Sequence, residues 1–185
     1  MKIGAFEISE PLPELNEPHV IAMLRPWVDV GSVGTVVLRR LERHFAAKEL
    51  GKLARPGRFF DFTRYRPVLR YVEGMRHVTV PNPSINYTQR EDGTDLLFLH
   101  LLEPHANSEE YVDSVLELFK TVGVKRYMLV GGMYDVVPHT RPLQVTGSLS
   151  VEGGEGIAKR LQIRKSSYEG PTSILYMVSQ QARQM

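Results

Sequence analysis

Leu96-Leu-Phe-Leu-His-Leu-Leu102 is nearly all apolar, with a single histidine near its middle. A strand with one wet face alternates apolar and polar residues, so an unbroken run of this length reads as a strand covered on both faces. Glu103-Pro104 stops it. A helix is predicted from about Ser108, with Glu109 and Glu110 in its first turn, where carboxylates suit the positive end of the helix dipole. Val112, Val115, Leu116 and Phe119 recur at helical spacing, and Gly123 ends the element. Val124 to Val130 is the next predicted strand. Strand, helix and strand imply a right-handed parallel crossover. That connection brings the loops at Glu103 and at Gly131-Gly132 to one edge of the sheet.

The second of these loops is the richer in chemistry. Tyr127-Met-Leu-Val-Gly-Gly-Met-Tyr-Asp-Val-Val-Pro-His-Thr-Arg-Pro142 starts as a strand, breaks at two glycines and then carries Asp135, His139 and Arg141. Ligands of open α/β sheets bind beyond the carboxyl ends of the strands, where this loop is expected.

Toward the N-terminus, Ile3, Phe6 and Ile8 suit an edge strand, and His19 to Leu24 suits a buried one that ends at Arg25-Pro26. Trp27-Val-Asp-Val-Gly-Ser-Val-Gly34 leads into a helix with Ser32 as its N-cap and with Val33, Val37 and Leu41 on one stripe. Its glycines suit either a tight turn or backbone N–H groups aimed at an anion, but neither the dinucleotide fingerprint nor a P-loop lysine is present. Val68 to Val72 and His77 to Val80 flank Glu73-Gly74 as a hairpin. Ile85 to Gln89 leads through Glu91-Asp92-Gly93 into the apolar run as a second hairpin-like connection, so the sheet is expected to be mixed. Beyond Pro142 the expectations are a strand over Val145 to Val151 and a short helix over Ile157 to Leu161. A last helix follows, with Pro171 in its first turn and Ile174, Leu175, Val178 and Ala182 facing inward.

The bulk numbers narrow the function classes. The chain has 185 residues, suited to a single domain over 1–185, and a net charge of only +2, too small to point to nucleic acid. Cysteine is absent, which excludes disulfides, a thiol nucleophile and cysteine-based metal sites. His19, His44, His77 and His100 lack metal-ligand spacing, so neither a metal nor a cofactor is expected. His100 reads as buried and hydrogen-bonded. No basic-then-apolar leader opens the chain, and no apolar run nears the ~18 residues a membrane helix needs. A cytoplasmic protein without a membrane partner is the expectation.

Asp29, Glu103, Asp135, His139 and Arg141 form the candidate catalytic set. Histidine exchanges protons near neutral pH, arginine clamps carboxylate or phosphate, and a carboxylate orients the histidine. That inventory suits a hydrolase or a glycosyl-transferring phosphorylase. The commoner reading of such residues is a loop locked by Arg141 against Glu103 or Asp135, with His139 bonded to a backbone carbonyl. The candidate ligand-binding glycines are Gly31, Gly131, Gly132 and Gly170.

Four segments carry a family resemblance: Trp27-Val-Asp-Val-Gly31; Phe60-Asp-Phe62 with Arg66-Pro67 and Val80-Pro81; Glu103-Pro104; and Pro138-His-Thr-Arg-Pro142 leading to Val145-Thr-Gly147. Tyr168-Glu-Gly-Pro-Thr172 is a fifth. In order and spacing the chain resembles the proteasome assembly chaperone 2 family, in its bacterial and archaeal branch. The resemblance implies an α/β fold, three-layer α/β/α with a mixed, mainly parallel sheet, similar to purine nucleoside phosphorylases. It also implies homo-oligomers, trimers favoured, and a protein partner related to the proteasome. Family members usually continue with a further strand and helix, so the expectation is either a chain shortened at its C-terminal end or a short member whose sheet lacks a strand. Docking relatives end in hydrophobic-tyrosine-any residue, which Ala182-Arg-Gln-Met185 does not match. A non-enzymatic interaction module is the first expectation; the alternative is a small-molecule enzyme or binder for nucleoside-like or anionic ligands, using His139, Arg141, Glu103 and Asp29.

Overall fold

The apolar run is a strand, β8 (Leu96–Leu102), buried along its whole length. Its side chains alternate between two packing layers, as the two-residue period of a strand requires. Leu97, Leu99 and Leu101 join a core with Tyr111, Val112, Val115 and Leu118 of helix α2 (Ser108–Val122). Leu96 and Phe98 face the other way, toward Leu38 of helix α1 (Val33–His44) and Met23. Helices therefore cover both faces, giving three α/β/α layers. The computed structural model describes residues 1–91, 93–135, 137–151 and 153–184. Asp92, expected in a hairpin-like connection, Val136 of the Tyr127–Pro142 stretch, Glu152 and Met185 lie outside the described residues.

Two units are distinguished, Met1–Met133 with Ser173–Met185, and Tyr134–Thr172. The first holds a seven-stranded sheet in the order β1-β2-β4-β7-β8-β3-β9. Its strands besides β8 are β1 (Lys2–Ile3), β2 (Phe6–Ile8), β3 (His19–Arg25), β4 (Lys48–Leu53), β7 (Ser84–Thr88) and β9 (Arg126–Leu129). β3 runs parallel to β8, from His19 opposite Leu96 to Arg25 opposite Leu102, and parallel to β9 on its other side. Every other pairing in this sheet is antiparallel. Parallel strands are thus the minority, contrary to the mainly parallel expectation. Short connections such as the one from β7 to β8 permit only antiparallel pairing, whereas a parallel neighbour needs a long crossover.

β4 escaped the sequence reading. Lys48-Glu-Leu-Gly-Lys-Leu53 lacks clean alternation, because its register with β7 shifts between Glu49 and Gly51. Ser32 does stand at the N-cap of α1, but in left-handed backbone (φ 58°) and without a side-chain bond to the helix. Val33 is 45% exposed, off the expected buried stripe, whereas Leu38 is fully buried. The last helix, α4 (Ile174–Ala182), starts after Ser173, so Pro171 precedes its first turn. Ile174, Leu175 and Val178 are buried as expected.

β5 (Val68–Val72) and β6 (Met75–Thr79) pair only with each other. Glu73 (φ 50°) and Gly74 (φ 79°) form the two-residue turn, both in left-handed backbone as a type I′ turn demands. The second unit contains β10 (Thr146–Gly147) and β11 (Arg164–Lys165) in parallel, joined through helix α3 (Gly154–Arg160). The strand expected over Val145 to Val151 shrinks to these two residues, and the helix begins before Ile157.

Candidate functional site

β8 and β9 are both parallel to β3, so Arg25, Glu103 and Val130 emerge at one sheet edge. The Glu103 N–H donates to Arg25 O at 2.9 Å. Tyr65 Oη donates to Glu103 O at 3.1 Å, and its ring packs 4.6 Å from that of His105. His105 Nδ1 accepts the Asp61 N–H at 3.1 Å. Arg25 Nε and Glu103 Oε2 are both buried without a hydrogen-bond partner. Burial pushes the Glu103 carboxyl above its ordinary range, and the backbone N–H of Ile174 at the start of α4 offsets part of that. Burial and the neighbouring Glu103 likewise push the Tyr65 hydroxyl up. Glu103 was legible from sequence. Arg25 and Tyr65 were not, and the one usable signal was a charged residue ending an otherwise apolar strand.

Asp29 serves the helix. Its Oδ1 accepts the Thr35 N–H at 3.1 Å and its Oδ2 accepts the Thr35 hydroxyl at 2.6 Å. This satisfies a first-turn donor of α1 that Ser32 leaves open. The glycine loops meet backbone to backbone. Gly132 N–H donates to Val28 O at 2.9 Å, and Val30 N–H donates to Gly132 O at 3.1 Å. A side chain on Gly131 would strike the Val28 carbonyl oxygen. Gly31 sits at φ 61° with open space around it.

Asp135, His139, Arg141 and Gly170 belong to the second unit. Asp135, His139 and Arg141 are exposed. Pro138 to Arg141 is a turn closed by the Arg141 N–H to Pro138 O at 2.9 Å. Gly170 (φ 150°) lies beside the hydroxyl of Tyr168, which donates to Pro171 O at 2.8 Å. The structure thus brings together Asp29, Gly31, Gly131 and Gly132, and sets Glu103 with Arg25 and Tyr65. Two clefts, about 680 Å³ under Arg39, Arg43 and Asn86 and about 250 Å³ beside Arg55 and Phe59, are lined by none of the candidate residues.

The β5–β6 hairpin is a different kind of feature. Every residue of both strands is exposed. Leu69 at 53%, Tyr71 at 63%, Met75 at 62% and Val78 at 61% stand in solvent beside Val68, Val72 and Val80. Exposed apolar side chains are thus gathered on both strands of this hairpin.

Residues 23–185 match the model of the PAC2 family. The chain belongs to the PAC2 family. Among solved structures, a PAC2 family protein from Streptomyces avermitilis MA is similar at 24% identity and a TM-score of 0.77, over 90% of this chain and 70% of that one. A proteasome-assembly chaperone homologue from Mycobacterium tuberculosis is similar at 22% identity and a TM-score of 0.74, over 88% of this chain and 68% of that one. PbaB of Pyrococcus furiosus, an archaeal proteasome activator, is similar at 16% identity and a TM-score of 0.70, over 96% and 75%. At these identities the likeness establishes the fold. No curated protein matches this PAC2 chain. No helix among its described residues is long and apolar enough to cross a membrane. No cluster of three or more metal-binding side chains occurs among them.

Proposed function

We propose that this PAC2 protein is an interaction module of the proteasome-assembly-chaperone kind, one that self-associates and binds a proteasome-related protein in the cytoplasm. The observation that carries this reading is the β5–β6 hairpin, whose apolar residues are exposed on both strands. Family membership and the likeness to a chaperone homologue and a proteasome activator support it. The test is binding of the purified chain to purified 20S core particle and its separate subunits, by interferometry. The expected result is saturable binding. Absence of binding to core particle and subunits alike overturns the proteasome partner.

A second reading is supported by the two orphaned atoms at the sheet edge, Arg25 Nε and Glu103 Oε2. Buried polar atoms without partners suit a small ligand with both donor and acceptor groups. Binding to the folded state raises the unfolding temperature by mass action. A rise with a nucleoside, phosphate or ribose phosphate that disappears in Glu103→Ala would favour a small-molecule binder or enzyme; silence across that panel removes it.

A further inference from the structure

We infer that the β5–β6 hairpin is an arm that packs on the acidic outer face of α2 in a second copy of this chain. The inference rests on the interaction-module reading and names the surface and the partner for self-association.

The arm is unstable by itself. An isolated two-stranded hairpin is marginal in water and becomes stable only when a face is covered. Cross-strand register sets Leu69 beside Val78 on one face, and Val72 beside Met75 on the other. Both faces therefore carry apolar pairs, and all of them are exposed.

Charge selects the receiving surface. The segment from Arg66 to Val80 holds Arg66, Arg70 and Arg76 against the single carboxylate Glu73. On α2, Glu109, Asp113 and Glu117 are exposed and spaced four residues apart, so they form one stripe along the helix. Glu110, off that stripe, is already paired with Arg58 at 2.7 Å. The buried side of α2 belongs to its own core, which leaves the acidic stripe as the face a neighbour meets. Complementary patches of opposite sign steer and orient association. Arm and stripe are different surfaces, so the contact is satisfied by reciprocal exchange in a dimer or by a closed ring of copies.

The test is the mass of the full chain by size exclusion with light scattering, across a concentration series. The wild type is expected at a multiple of the single-chain mass. Leu69→Asp with Val78→Asp is expected to weaken association at least tenfold, with unchanged circular dichroism because both residues are exposed. Arg70→Glu with Arg76→Glu, and separately Asp113→Arg with Glu117→Arg, are expected to weaken it as well. Combining the two charge reversals is expected to recover most of the loss. A wild type of single-chain mass at every concentration overturns the inference, as does an assembly that the arm variants leave intact or a double reversal that recovers nothing. A single-copy chain that still binds core particle sinks only the arm contact. An assembling chain that binds no core particle sinks only the proteasome partner.

Discussion

His100 Nε2 lies 2.9 Å from Glu42 Oε1, tying the middle of β8 to α1 beneath the surface. Asn86 Nδ2 donates to the same oxygen at 2.7 Å. The histidine that interrupts the apolar run is thus part of a side-chain network between two layers. Glu42 also lines the larger cleft, beside Arg39 and Arg43.

The network predicts an acid limb in stability. Burial by itself raises the Glu42 carboxyl, but the bonds from His100 and Asn86, with the charges of His100 and Arg39, outweigh it and hold the group below its ordinary 4.5. A depressed folded value adds stability above the unfolded value, which is lost as pH falls through the folded one. Thermal unfolding followed from neutral to acid pH should show this loss beginning below 4.5 in the wild type. Glu42→Gln should flatten that limb and cost about 1–3 kcal/mol at neutral pH, by weakening the partner of a buried histidine. An identical acid limb in the variant would refute the assignment.

Glu103 predicts the opposite sign. Burial raises its folded value above 4.5. A raised value contributes stability that is full below the unfolded value and is lost as pH rises through the folded one. Glu103→Gln, which keeps the shape and removes the charge, should therefore unfold at a higher temperature than the wild type at neutral pH. The two should converge in acid. A difference that stays constant with pH would show that the carboxyl is not desolvated in the folded chain.

Asp29→Ala should cost about 1 kcal/mol, the usual worth of a helix cap. The loss should appear locally as faster hydrogen exchange at Thr35, whose N–H and hydroxyl both donate to Asp29. Asp29→Asn should retain most of the protection. Unchanged exchange at Thr35 in Asp29→Ala would mean that something else caps α1.

Residues were legible where a single periodicity governed them and illegible where tertiary contacts overrode it. β8 and α2 followed their apolar spacing because each buries one continuous pattern. The Glu73-Gly74 turn followed from its position between two β-rich runs, and both residues adopt positive φ. β4 was hidden because its charged residues lie on exposed positions around an irregular pairing. The strand balance of the sheet was misread because the βαβ signal of β8, α2 and β9 was extended to strands joined by short turns. At the site, residue type found Asp29 and Glu103, but type alone did not separate a helix cap from a desolvated carboxyl. That distinction lies in Thr35 and Ile174, neighbours supplied by the fold.

The two glycine loops make a final, separable prediction. At Gly131 the obstacle is space, since an added Cβ would meet the Val28 carbonyl oxygen and lie 3.3 Å from the Val28 Cβ. Gly131→Ala should cost about 1–3 kcal/mol, as overpacking does. At Gly31 the obstacle is backbone alone, with φ 61° and nothing nearby. Asparagine tolerates left-handed backbone better than alanine. Gly31→Asn should therefore be milder than Gly31→Ala, whereas Gly131→Asn should be no milder than Gly131→Ala. Urea unfolding midpoints of the four variants test this, and equal ranking at both positions would contradict it. The contrast bears on function as well. Gly132 N–H already donates to Val28 O, so this glycine pair is occupied in joining two loops. An anion added to the wild type should leave the Gly132 amide resonance unmoved, and a phosphate-dependent shift there would instead assign the loop to ligand binding.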